Sequence, residues 1–80
     1  MNYYDEASFD FAMNEFKNGK CTIQTKIKYM IGKLCFLNRK YSNIENSKSS
    51  FSIKQEKLNK IKQEIKVLEN EIYQDLDKLQ

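Results

Sequence analysis

The sequence predicts an all-α fold: a short N-terminal helix, then two long amphipathic helices arranged as a helical hairpin or coiled-coil-like bundle. Three observations predict it. Apolar residues recur at steps of three and four along most of the chain. There is no proline, and one of the two glycines falls where a helix should stop. A serine- and asparagine-rich stretch, residues 44–52, separates the two long periodic segments. At 80 residues the chain makes a single small domain, 1–80, whose own core is marginal.

The first helix is expected over residues 6–17. Asp5 suits the N-cap, and Glu6 and Asp10 lie near the positive end of the helix dipole. Asn18-Gly19 is a stop signal, because glycine tolerates the left-handed conformation just past a helix. Phe9, Ala12, Met13 and Phe16 share one apolar face, whereas Phe11 points elsewhere and needs a second contact.

The second helix is expected from Thr22, a good N-cap, to about residue 43. Ile23, Ile27, Met30, Leu34, Leu37, Tyr41 and Ile44 alternate steps of four and three, an unbroken heptad seam. Tyr29, Ile31, Cys35 and Phe36 widen the apolar surface, so this helix must be covered on more than one side. Gly32 inside the pattern costs about 1 kcal/mol relative to alanine, and close approach of another helix would offset it.

The third helix is expected over 53–79, opened by a capping box of Ser52 and Gln55. Leu58, Ile61, Ile65, Leu68, Ile72, Leu76 and Leu79 form its seam, with a stutter between Ile72 and Leu76. A helix of about 40 Å with so narrow a seam needs a partner helix. Its charges are polarised. Residues 53–66 hold five lysines and two glutamates, and residues 67–80 hold four acids and Lys78. The helix dipole prefers the reverse order. An antiparallel copy would match basic half to acidic half, so those seven seam residues are the expected dimerisation surface of a homodimer. Electrostatics do not decide whether this helix folds back on the second. Arg39 and Lys40 would repel Lys54 and Lys57 at the hinge end, while Lys26 and Lys28 would attract Asp75 and Asp77 at the other. The expected core is Phe9, Met13, Phe16, Ile23, Ile27, Met30, Leu34, Leu37, Tyr41, Leu58, Ile61, Ile65, Leu68 and Ile72.

Composition narrows the function. There is no histidine, the commonest general base and metal ligand. Cys21 and Cys35 form no metal-site spacing, and the only glycines, Gly19 and Gly32, make no phosphate loop. The sequence therefore predicts no enzyme, no metal and no cofactor. The net charge of +3 is mild, and the abundance of Lys, Asn, Ile, Tyr and Phe reflects AT-rich codons as much as function. The polar, acidic start predicts no signal peptide, and the short apolar runs predict no membrane span. Reduced thiols and a cytoplasmic location are expected.

The first functional reading is a helical protein–protein interaction module that binds and blocks a larger protein. Tyr3, Tyr4, Phe11, Tyr29 and Phe36, which fall outside the main seams, are its candidate anchors. Small, AT-biased, catalytically bare chains of this kind are common among phage and mobile-element inhibitors, anti-CRISPR proteins included; this is an expectation from class and not a resemblance. A second reading is a small DNA-binding regulator dimerised by the third helix, with Lys26, Lys28, Lys33, Arg39 and Lys40 on phosphates. A third is a structural subunit of a larger assembly.

Overall fold

The computed structural model describes residues 4–79. It is a three-helix, all-α structure: α1 (Glu6–Lys17), α2 (Ile23–Glu45) and α3 (Phe51–Asp77). The described residues include no strand. Helix α3 folds back antiparallel on α2, and α1 packs against α2. The result is an elongated hairpin measuring 45 × 23 × 21 Å.

Local chemistry sets each boundary. The carboxylate of Asp5 accepts a 3.1 Å hydrogen bond from the Ser8 amide and caps α1. The helix ends in a Schellman turn. The Lys20 amide donates to the Glu15 carbonyl at 2.7 Å, and the Gly19 amide donates to Phe16 at 3.0 Å. That turn needs a positive φ, and Gly19 supplies it at 75°. The Thr22 hydroxyl accepts from the Thr25 amide at 3.2 Å and caps α2.

The hinge differs from the expectation. Helix α2 runs to Glu45 and α3 begins at Phe51, so the connector is only residues 46–50. The capping box at Ser52 does not form. Ser52 lies within the first turn of α3, and Ser50 is the N-cap, without a side-chain hydrogen bond. The earlier start closes the hairpin tightly. It lets Lys54 donate to the Glu45 carbonyl at 2.9 Å, satisfying one of the orphaned acceptors at the end of α2.

The two heptad seams meet inside the hairpin. Ile27, Met30, Leu37, Ile61, Leu68 and Ile72 form one buried cluster, and Met30 is fully buried. Leu58 is buried at the hinge half, and Ala12 is buried on α1. Phe9, Met13, Ile23, Leu34, Tyr41 and Ile65 pack around the cluster as expected, joined by Ile44. Phe16 is half-buried.

Candidate functional site

The open end of the hairpin holds an ion cluster. Asp75, in the last turn of α3, is 1% exposed. The Lys26 ammonium of α2 reaches its Oδ2 at 2.8 Å and the Glu71 Oε2 at 3.3 Å. The approach to Oδ2 lies outside good hydrogen-bonding angles, so that oxygen is compensated chiefly by charge. Lys78 approaches Oδ1 at 3.6 Å from solvent. Beneath the Lys26 ammonium lies the Phe16 ring, its centroid 4.8 Å away. Burial lowers the Lys26 pKa, but the close carboxylates of Asp75 and Glu71 outweigh it and hold the ammonium above its ordinary value. The attraction of Lys26 to the acidic end of α3 is therefore realised, and it joins all three helices.

An aromatic cluster sits on the α1 side. The Tyr4 ring meets Phe9 edge-on, centroids 5.9 Å apart, and packs tilted against Phe36 at 4.9 Å. The Lys33 ammonium lies 4.6 Å from the Phe9 centroid. Burial, with the negative charges of Glu6, Asp10, Asp5 and Glu64, pushes the Tyr4 phenol above its ordinary value. Next to this cluster a groove of about 440 Å³ separates α1 from α3, lined by Phe9, Lys33, Lys60, Glu64, Val67 and Glu71 among others.

The candidate anchors divide. Tyr3 lies outside the described residues. Tyr4 is half-buried and spends its ring on Phe9 and Phe36. Phe11, Tyr29 and Phe36 are 65%, 40% and 42% exposed. Tyr29 and Phe36 stand seven residues apart, hence on one face of α2. On that face Phe36 already carries the Tyr4 ring on one side, while its remaining surface and that of Tyr29 stay open.

The five basic candidates also divide. Lys26 is consumed by Asp75 and Glu71, and Lys33 is half-buried over Phe9. Lys28, Arg39 and Lys40 remain exposed. From Ile23 to Ile44, α2 carries no acidic residue.

The proposed dimer seam is spent within the chain. Leu58, Ile61, Leu68 and Ile72 are buried in the single chain, and Ile65 is half-buried. Only Leu76 and Leu79 keep 40% and 43% exposure. A dimer through the whole seam would require the hairpin to open.

Among the described residues no group of three or more Cys, Asp or Glu side chains is placed to hold a metal ion. Cys21 and Cys35 are half-buried and not joined by a disulfide, and the Cys21 thiol donates to the Ala12 carbonyl at 3.6 Å. Among the described residues no helix is long and apolar enough to cross a membrane. Compared with protein families, curated proteins and solved structures, the chain has no significant match to any of them.

The sequence named the attraction of Lys26 to Asp75, but Asp75 was absent from the expected core, where the structure buries it. The signal was present. Asp75 lies one turn beyond Glu71 and three residues beyond Ile72, at the edge of the seam.

Proposed function

We propose that the chain is a non-enzymatic protein-binding module that docks by the outer face of α2 onto an acidic surface of a larger protein and occludes it. One observation carries this reading. Tyr29 and Phe36 are exposed on a helix whose neighbouring exposed charges, Lys28, Arg39 and Lys40, are all positive. Tyrosine, phenylalanine and arginine are enriched in interfaces, and tyrosine and arginine recur as energetic hot spots. Positive charge around them steers an acidic partner and rejects a basic one. This mode of action is shared by small inhibitors that block a complex by covering one of its surfaces.

The test is capture from native extract on immobilised chain, with and without nuclease. Tyr29→Ala and Arg39→Glu serve as paired controls, since both side chains are exposed and should leave the fold intact. One dominant protein, retained after nuclease and lost with either variant, is the expected result. An interface hot spot of about 2 kcal/mol makes that loss about thirtyfold in affinity. Capture abolished by nuclease would refute the reading and favour a nucleic-acid partner. Capture unchanged in both variants would place the docking surface elsewhere.

A further inference from the structure

A two-helix hairpin has two sides, and α1 covers only one. Lys33 of α2 and Lys60 and Val67 of α3 line the groove beside Phe9, so these flanks face α1. At about 100° per residue, Ile31 on α2 and Tyr73 and Leu76 on α3 fall on the opposite flanks of their seams. In an antiparallel pair those flanks share the other side of the hairpin. Among the described residues no helix covers them. Ile31, Tyr73 and Leu76 are accordingly 42%, 63% and 40% exposed. Lys26 meets Asp75 at one end and Lys54 reaches Glu45 at the other, a register that sets Leu34 opposite Ile65. Both belong to the seams, yet both remain half-buried.

We infer that a second copy of this chain covers this side. The two α3 helices meet antiparallel about a two-fold axis near Ile65 and Lys66, and two hairpins become a four-helix bundle. Charge complementarity selects this occupant. Helix α3 is basic over residues 53–66 and acidic over 67–80. That flank carries Lys62, Lys66 and Glu69. Lys62 and Glu69 carry the polarity, and the exposed Lys66 lies beside the axis, where its long stem extends the ammonium into solvent. A two-fold axis at that point sets Lys62 of each copy against Glu69 of the other. A parallel copy would set like charge on like. The arrangement is isologous, so it closes at two chains. It leaves the hairpin shut, unlike a dimer through the whole seam. It does not use Tyr29 or Phe36, so it stands or falls independently of the proposed docking face.

The experiment is sedimentation equilibrium of the full chain from about 5 to about 500 μM at low salt, where a dimer with a dissociation constant of about 50 μM passes from mostly dissociated to mostly formed. A concentration-dependent dimer is expected. Ile31→Lys and Tyr73→Lys, both at exposed positions, should each raise the dissociation constant at least about tenfold. Val67→Lys, on the α1 side, should leave it unchanged. Lys62→Glu should weaken the dimer, and Lys62→Glu combined with Glu69→Lys should restore it. Helix content measured in parallel confirms that each variant is folded. A monomer at every concentration overturns the inference. So does a dimer that Val67→Lys dissociates while Tyr73→Lys spares it. Failure of the double charge exchange to restore association overturns the antiparallel arrangement.

Discussion

Replacing Lys26 with methionine isolates Asp75, the one buried charged side chain among the described residues. Methionine keeps most of the lysine stem, so packing on Phe16 is largely retained and the ammonium alone is lost. Asp75 is then left 1% exposed, its remaining cation being Lys78 at 3.6 Å on a 65% exposed side chain. Breaking a buried pair from one side costs about 3–5 kcal/mol. Partial compensation by Lys78, at the end of the hairpin where water is near, reduces the expected loss to about 2–3 kcal/mol. For a domain of this size that lowers the melting temperature by about 10–20 °C. Thermal and urea melts followed by circular dichroism measure it. Lys26→Met with Asp75→Leu removes both charges, and should recover stability to within about 1 kcal/mol of the parent. The alkaline limb gives a second readout. The Lys26 pKa is raised above its ordinary 10.5 in the folded chain. The native state therefore holds that proton more tightly than the unfolded chain. The resulting stability is complete below pH 10.5 and is lost as pH rises through the folded pKa. Tyr4, raised above 10.0, acts in the same direction, so the profile is compared in Lys26→Met and Tyr4→Phe backgrounds. A Lys26→Met loss below about 0.5 kcal/mol would refute the reasoning, since that is the size of an exposed surface pair.

Other substitutions test the core and the caps. Met30→Ala, at a fully buried position, should cost about 2–5 kcal/mol, whereas Met30→Leu should cost less than about 1.5 kcal/mol in the same denaturant melts. Gly19→Ala should lose about 1–2 kcal/mol through backbone strain alone, because nothing lies within 4 Å of the added Cβ. Thr22→Ala should cost about 1 kcal/mol, while Ser50→Ala, whose hydroxyl makes no cap bond, should cost distinctly less. Ser52→Ala should be neutral or stabilise by about 0.5 kcal/mol, since the residue sits inside α3; a loss near 1 kcal/mol would mean that Ser52 is the true cap.

Much of the fold was legible because helical periodicity and capping are local. The start of α1 at Asp5, its end at Gly19 and the start of α2 at Thr22 each depend on a few adjacent residues. The heptad seam of α2 likewise identified Ile27, Met30 and Leu37 as core. The hinge was less legible because its position is set by a contact between helices. Lys54 gains the Glu45 carbonyl with α3 beginning two residues before the capping-box signal. The site residues were the least legible. Charge and aromaticity say which side chains can bind, but not which are already occupied. Tyr4, Lys26 and Lys33 all proved to have partners within the chain.

The reversed charge order of α3 now has half an explanation. Its acidic end lies beside the N-terminal half of α2, where Glu71 and Asp75 meet Lys26. That pairing offsets the unfavourable placement of acid at a helix C-terminus. Among the described residues no ion pair offsets the basic half in this way. Helix α2 supplies no acid before Glu45, and the hinge half of α3 runs beside Arg39 and Lys40. Lys54 finds only a backbone carbonyl there. Folding the hairpin thus concentrates unbalanced positive charge at its hinge end, an arrangement that hairpin stability alone would select against. Both readings advanced above supply the missing negative charge from outside the chain. An acidic partner would supply it to the outer face of α2, and the Glu69 of a second copy would supply it to the uncovered flank of α3. They differ in what salt does to a purified sample. Screening that dissociates the isolated chain identifies the second copy, because no other macromolecule is then present to provide the acid.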